Sequence, residues 1–291
     1  MTKFNSLICV FIIFIAQQSF ADYHFVADWP QRAADAPEGS EFLASLEHLS
    51  PSLREQAIIN AVLSGNVPDF MRELQPIKYE ARSKLGAQIT LTTFVTPDYL
   101  AIGSNEDYVR VPVNLHTAKI VAEQLNCLLP TRKMVNQIYK QAAIKLKPQP
   151  KRPGKAMTSI RYYAEHNETI ASAVSRLQTS DSDLIAGHKK DIVNTRKYVQ
   201  KPKAIAIYGW HKSPKKPIQP LSTVHGAYYA DYSHGLRLIH SHGLIEQDGV
   251  FSRVELSKIL TSPDLNQLLS DEGRFESSLF ERKSRSLNSS I

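Results

Sequence analysis

The sequence predicts an α+β fold, with N-terminal helices and a mixed or antiparallel sheet. Two observations support this prediction. Apolar residues recur at helical spacing in the first half, whereas short strand-like runs dominate after Ile185. Because these runs follow one another too closely for regular βαβ units, we expect a single globular domain, with an arrangement in two lobes as an open alternative.

The clearest helix is predicted over 50–64. Pro51 suits its first turn, and Ser52 with Glu55 fits a capping box. Gly65 is typical of a residue that ends a helix. Further helices are predicted at 41–49, at 159–177, and at 117–125 and 131–143, the last two opening on Thr117 and Thr131 as N-caps.

Strands are predicted where β-branched and apolar residues alternate with polar ones. The run 87–95 (A-Q-I-T-L-T-T-F-V) is the clearest half-buried strand. Other predicted strands are 99–102, 108–113, 144–146, 191–193, 204–208, 224–229 and 236–240. Two short helices, at 254–260 and 263–270, are expected after them.

A basic, proline-rich run at 147–155 (K-P-Q-P-K-R-P-G-K) divides the sequence. It separates a helix-rich half at 22–146 from a strand-rich half at 156–275 that carries the candidate site. A long surface loop within one domain is the alternative interpretation. The polar residues 276–291 predict a flexible tail.

The N-terminus has the pattern of a secretory signal peptide over residues 1–21. Lys3 precedes an apolar run at 7–16, and small residues precede a cleavage site after Ala21. The apolar run is too short to span a bilayer, and no later run approaches ~18 apolar residues. We therefore expect a secreted or periplasmic protein with no membrane span in the mature chain.

The composition limits the classes of partner that the protein is expected to bind. Cleavage would remove Cys9 and leave Cys127 alone, which excludes an intramolecular disulfide, and the leucines around Cys127 favour a buried inert thiol. The net charge of +7 and the pI of about 9.2 suit an anionic envelope surface. The basic residues are scattered and no nucleic-acid-binding motif occurs, so we expect an extracellular or envelope substrate and no nucleic acid.

Half of the ten histidines fall within 204–244, which predicts a functional site there. On a regular strand, His225, Tyr229 and Asp231 would share one face. An aspartate can orient a histidine that acts as a general base, and a serine that a histidine reaches can act as a nucleophile. The candidate catalytic residues are His188, Asp191, His211, His225, Asp231, Ser233 and His234.

Aromatic and basic residues beside these candidates predict substrate binding. They are Lys189, Lys190, Trp210, Tyr229, Tyr232 and Arg237. Arg237 or a lysine would stabilise negative charge in a transition state. Zinc is an open alternative because imidazole and carboxylate are its usual ligands, and His240 with His242 adds an H-x-H pair. No H-E-x-x-H motif supports a metal, so the metal ligands and the cofactor stay unassigned.

Two resemblances bear on these motifs. The run S-H-G-L-R-L (233–238) resembles the S-H-G-C-x-R signature of L,D-transpeptidases, with V-H-G (224–226) as the upstream H-G. The essential cysteine is absent and the spacing is too short, which excludes that mechanism. The motifs P-D-Y-L-A-I-G, G-H-K-K-D, Y-G-W-H and Y-A-D-Y-S-H-G are similar to those of a group of uncharacterised exported bacterial proteins. That resemblance implies bacterial export and no particular activity.

Two functions follow from these observations. The first is an exported hydrolase with a His/Asp-based, optionally zinc-assisted, site that acts on an envelope or extracellular polymer, peptide or ester. The second is a non-catalytic exported protein that binds a glycan or an anionic polymer. Convergence of the candidate histidines in one pocket would favour the enzyme, and their dispersal would favour binding or a structural role.

Overall fold

The computed structural model describes residues 26–82, 86–177, 180 and 183–280. The expected signal peptide and most of the expected tail lie outside these residues. Within them, the α-helices are α1 (Gly39–Ser45), α2 (Pro51–Leu63), α3 (Leu115–Gln124), α4 (Arg132–Gln141), α5 (Ile160–Val174), α6 (Leu256–Thr261) and α7 (Asn266–Leu269). Short 3-10 turns add Asp69–Arg72, Lys155–Thr158, Arg196–Val199 and Ser277–Leu279.

The strands are numbered in chain order. They are β1 (Gln75–Arg82), β2 (Gln88–Val95), β3 (Ala101–Gly103), β4 (Tyr108–Arg110), β5 (Cys127–Leu128), β6 (Ile144–Lys145), β7 (Ile185–Ala186), β8 (Lys190–Ile192), β9 (Ile207–Ser213), β10 (Lys216–Ser222), β11 (His234–Gly235), β12 (Ile239–His240), β13 (His242–Gln247) and β14 (Val250–Glu255).

The largest sheet takes strands from both halves of the sequence. Its order is β14-β13-β2-β12-β5, and β1 also pairs with β2. All of these pairings are antiparallel. A second sheet, β10-β9-β8-β11, carries the candidate site and contains one parallel pair, β8 with β11. The predicted α+β class with a mixed or antiparallel sheet is therefore confirmed.

Both large apolar cores join residues from the two sides of the proline-rich run. One core contains Ile58 and Val121 together with Ile207 and Leu238. The other contains residues of β1 and β2 together with Ile239, Leu256 and Leu269. Because burial of apolar surface provides most of the stabilisation of a fold, the two halves depend on each other for their cores.

Helix caps explain where several helices begin, and they correct two predictions. Ser50, not Ser52, is the N-cap of α2, because its side chain accepts from the backbone N–H of Leu53. Asn114, not Thr117, caps α3 in the same way. Thr131 caps α4 as predicted. The shifts arise because serine, threonine and asparagine are nearly equivalent caps, so neighbouring candidates compete.

Several strands of the structure were not predicted, among them β1, β5, β10 and the hairpin of β13 with β14, whose end at Glu255 overlaps the helix expected at 254–260. β1 contains Pro76 and lies at the edge of β2, where a missing N–H is tolerated. β10 contains Pro217 and Pro220 and pairs only with β9 among the described strands. Proline argues against a strand in a sequence, and edge strands are the exception.

No helix in the described part of the chain is both long enough and apolar enough to cross a membrane. The lone thiol of Cys127 is buried, and burial raises its pKa far above the ordinary value. A thiol in this state is neutral and a poor nucleophile. This matches its interpretation as an inert core residue.

Candidate functional site

Three sequence motifs meet in the four-stranded sheet. In β8, Lys190 pairs with His234 and Asp191 pairs with Gly235 of β11. On its other side, Asp191 pairs with Tyr208 of β9. The motifs G-H-K-K-D, Y-G-W-H and Y-S-H-G therefore lie side by side, although long stretches of sequence separate them.

The predicted strand at 224–229 is wrong. The chain turns here, with the Tyr229 N–H bonded to the Gly226 carbonyl at 3.0 Å. Asp231 then accepts the backbone N–H of Ser233 at 2.8 Å, a local turn that competes with strand pairing. The shared face expected for His225, Tyr229 and Asp231 therefore does not exist, and a turn brings these residues together instead.

We call His225, Tyr229, Asp231, Ser233 and His234 the Asp231 cluster. The Tyr229 hydroxyl donates to Asp231 Oδ2 at 3.1 Å, and His234 Nε2 lies 3.9 Å from the same oxygen. The rings of His225 and Tyr229 stack at 4.1 Å between centroids, and His234 meets the edge of Tyr229 at 5.7 Å. Two of the candidate histidines thus contact the same tyrosine ring.

Asp231 and His234 of the cluster have shifted pKa values that give them different charges. Burial acts to raise the pKa of Asp231, but His234 and the hydrogen bonds from Ser233 outweigh it and hold that pKa below its ordinary value. Burial lowers the pKa of His234 to about 4, against the opposing effect of Asp231. At neutral pH the carboxylate is therefore ionised and the imidazole is neutral.

Ser233 supports Asp231 and does not present a nucleophile. Its hydroxyl donates to Asp231 Oδ1 at 2.5 Å, and the residue is fully buried. Neither ring nitrogen of His234 has a hydrogen-bond partner among the described residues, so the imidazole does not reach this hydroxyl. A serine nucleophile needs that contact for activation.

His188 lies apart from the Asp231 cluster in a buried ion network. Its Nε2 lies 3.0 Å from Asp98 Oδ1, and Arg110 pairs with Asp98 Oδ2 at 2.6 Å. Burial lowers the pKa of His188 to about 4, whereas Arg110 and His188 outweigh burial and hold the pKa of Asp98 far below its ordinary value. These three side chains are almost fully buried, which indicates a structural role.

Asp191 lies in the same buried region but contacts different partners. The Tyr99 hydroxyl donates to its Oδ2 at 2.9 Å, and burial raises its pKa to about 7. Arg237, whose guanidinium lies 4.3 Å from the centre of the Tyr99 ring, opposes that rise. Arg237 donates to the carbonyls of Thr96 and Ile185 and is fully buried. It therefore fixes the chain and does not bind an accessible ligand.

His211 forms a third separate environment. Its Nε2 lies 3.0 Å from Asn136 Oδ1, and its ring stacks on Tyr139 at 4.6 Å. Burial lowers its pKa to about 4. Two left-handed residues precede it, Gly209 with φ 105° and Trp210 with φ 55°. This kink places His211 away from the Asp231 cluster.

Most residues expected to bind a substrate are inside the protein. Lys189 donates to the Tyr232 carbonyl at 2.7 Å, and burial lowers its pKa to about 7. The Trp210 ring donates to the His188 carbonyl at 3.1 Å, and the Tyr232 hydroxyl accepts the Lys151 N–H at 2.7 Å. Tyr229 and Lys190 are partly exposed, and the Lys190 ammonium lies 5.1 Å from the centre of the Trp210 ring.

A cleft of about 220 Å³ opens beside the Asp231 cluster, and Tyr229 lines it. Its other walls come from α2, the turn before α3, and the start of α5. The residues that line it are Leu46, Pro51, Arg54, Glu55, Ile58, Pro112, Thr158, Tyr163, Tyr228, Tyr229 and Ala230. Glu55 was predicted only as part of a helix cap, because nothing in its local pattern indicates that α2 faces the tyrosines.

The described residues contain no group of three or more His, Cys, Asp or Glu side chains that could hold a metal ion. His240 and His242 belong to different strands, with ring centroids 5.8 Å apart. The His242 N–H also donates to His240 Nδ1 at 3.1 Å, which occupies that nitrogen. The zinc alternative therefore has no ligand set in the described part of the chain.

The candidate histidines converge only in part. His225 and His234 belong to one cluster beside a cleft, whereas His188 and His211 have their own buried partners. No protein-family model, no curated protein and no solved structure matches this chain, so the site is interpreted from its own geometry.

Proposed function

We propose that this protein is an exported hydrolase that acts on a polymer of the cell envelope or the extracellular medium. The observation that supports the proposal is the connection between the cleft and the Asp231 cluster through Tyr229. The N-terminal signal pattern supports export, and the basic net charge of +7 suits an envelope surface.

The proposed reaction places His225 as the general base. This side chain is exposed and stacks on the ring of Tyr229, which lines the cleft. A neutral imidazole there takes a proton from water, and the water oxygen attacks the substrate. Tyr229 is held by the ionised Asp231, and the hydroxyl and backbone N–H of buried Ser233 hold Asp231. The reaction as proposed uses no metal.

The proposal is tested with residues 22–291 and three substrate classes, namely a peptide, an ester and a polysaccharide. We expect turnover of one class and a loss of about 10²-fold or more in kcat for His225→Ala, the usual contribution of a general base. His48→Ala, at an exposed position outside the cleft, is the matched control and should retain activity. Absence of turnover for all three classes would overturn the hydrolase proposal.

One observation favours the second candidate, a glycan-binding protein. Tyr228 is 80% exposed and lines the cleft, and its ring lies 4.3 Å from the His116 ring in a tilted contact. Exposed aromatic faces stack on sugar rings without any chemistry. Saturable glycan binding that is lost in Tyr228→Ala, together with no turnover, would identify this function.

A further inference from the structure

Glu55 lies in the same cleft as Tyr229, and the proposed reaction does not use it. We infer that Glu55 is the general acid of this cleft and that the bond cleaved is a glycosidic bond in a neutral sugar chain. This inference rests on the proposed hydrolase function and adds the substrate class and the acid.

The contacts of Glu55 leave one carboxyl oxygen available. Oε1 accepts the backbone N–H of Asn114 at 3.0 Å, which fixes the side chain at the junction of α2 and α3. Thr117 also approaches the carboxyl group. Oε2 is buried and makes no hydrogen bond to the described residues. An unsatisfied buried oxygen is costly unless it carries a proton or meets a ligand.

Tyr163 lies close enough to both acids to be affected by each of them. Its hydroxyl donates to the Ala230 carbonyl at 3.4 Å, and both Glu55 and Asp231 act electrostatically on it. Tyr229, the next residue along the cleft wall, bonds directly to Asp231. The cleft therefore has a carboxyl group on its wall and a second one behind its tyrosines.

Below about pH 7 the two acids differ in ionisation. Burial raises the pKa of Glu55 to about 7, although Thr117 and the Asn114 N–H oppose the rise. The pKa of Asp231 is held below its ordinary value. Glycoside hydrolysis uses one acid that donates a proton and a carboxylate that stabilises the developing positive charge. Glu55 fits the first role from the cleft wall, and Asp231 lies behind Tyr229.

The walls of the cleft suit a neutral sugar. Tyr163, Tyr228 and Tyr229 provide aromatic faces with hydroxyl groups. Arg54 is the cation that lines the cleft, and it donates to the carbonyls of Leu46, Glu47 and Thr158. With three donors committed to the backbone, it is poorly placed to bind an anionic group. The 220 Å³ volume is below the roughly 300–1,000 Å³ of pockets for whole small ligands, which fits a short segment of a longer chain.

In the proposed reaction, every bond and every proton is accounted for as in a hydrolysis. Glu55 donates its proton to the glycosidic oxygen, the bond from that oxygen to the anomeric carbon breaks, and the leaving sugar departs as an alcohol. Water attacks the anomeric carbon and gives its proton to His225. That proton returns to Glu55 through solvent, so one water is consumed and no other reactant is needed.

The test compares Glu55→Gln with Glu47→Gln, an exposed glutamate outside the lining of the cleft. The probe is a β-1,4-linked oligomer of N-acetylglucosamine, and new reducing ends are measured against pH. Wild type should lose kcat as the pH rises through about 7, where Glu55 loses its proton. Glu55→Gln, which keeps the acceptor for the Asn114 N–H, should lose about 10²–10⁴-fold in kcat together with that pH dependence.

An aryl glycoside whose phenol leaves without protonation distinguishes a catalytic role of Glu55 from a purely structural one. Glu55→Gln should cleave it at nearly the wild-type rate if Glu55 is the acid, and should remain impaired if Glu55 only supports the fold. Turnover of peptides or esters without any glycoside turnover would overturn this inference and leave the hydrolase proposal standing. Turnover of nothing would overturn both.

Discussion

Tyr229 and Asp231 are joined by a 3.1 Å hydrogen bond that links an open cleft to a buried carboxylate. Tyr229 lines the cleft, whereas Asp231 is 1% exposed. The ring of Tyr229 also contacts the imidazoles of both His225 and His234. The position of this one side chain therefore depends on the state of the whole cluster.

Removing that hydroxyl should weaken both the cluster and the site. Tyr229→Phe keeps the ring but deprives Asp231 of one donor, so we expect a loss of about 1 kcal/mol in the free energy of unfolding. If the hydrolase proposal holds, kcat should also fall. Urea denaturation measures the first effect, and Tyr228→Phe is the control because that residue is mostly exposed. Equal stability of both variants would contradict the prediction.

His211 should make the protein sensitive to acid. Its folded pKa is about 4, because of burial, whereas an unfolded histidine titrates near 6.5. Between these values the unfolded chain binds the extra proton, so the stability from His211 is complete above about pH 6.5 and is lost as the pH falls toward 4.

His211→Gln should remove this contribution while keeping an amide near Asn136. The variant should lose less stability than wild type between pH 7 and pH 4.5, by on the order of 1–3 kcal/mol. Denaturant titrations at the two pH values measure the difference. His48→Gln, at an exposed position, should leave the pH dependence unchanged. Parallel losses in wild type and His211→Gln would refute the assignment.

Asp191 should make the protein less stable as the pH rises, which is the opposite of the effect of His211. Burial raises its folded pKa to about 7, above the ordinary value of 3.8. From about pH 4 to pH 7 the unfolded chain has lost this proton and the folded chain retains it, so the contribution of Asp191 to stability falls as the pH rises. Asp191→Asn should therefore be more stable relative to wild type at pH 8 than at pH 5. The comparison of unfolding free energies at both pH values checks the sign.

Gly235 should tolerate no side chain. A Cβ there would lie 2.5 Å from the Tyr99 ring and 2.8 Å from the Lys189 Cβ, where β11 pairs with β8. Gly235→Ala should cost on the order of 1–3 kcal/mol or more through overpacking. Gly226→Ala is the matched control, because its nearest neighbour would be 4.0 Å away. Melting temperatures of the two variants should differ clearly, and equal values would reject the packing argument.

Local patterns predicted much of the fold, because helical spacing, caps and alternation are properties of neighbouring residues. α4 with its Thr131 cap and the strand at Gln88–Val95 were predicted for that reason. The edge strands with Pro76 and Pro217 were missed, because proline is excluded only where the partner strand needs its N–H.

The site was harder to predict because its contacts are long-range. The motifs around Asp191, His211 and His234 were chosen as candidates for their residue types alone, and the sheet places their strands side by side. Their side chains nevertheless point to different partners. Asp98, which pairs with His188, and Glu55, which lines the cleft, lie far away in sequence and carry no local signal.

The position of β2 in the large sheet has a consequence for the timing of folding. β2 pairs with β1 nearby, but its other pairings, such as Leu91 with Ile245, join residues about half the chain length apart. Such high contact order slows folding, because the long loop must close before the pairing is gained. A nascent chain cannot complete this sheet until its C-terminal strands have been synthesised, so the partner edge of β2 stays unpaired until the end of synthesis.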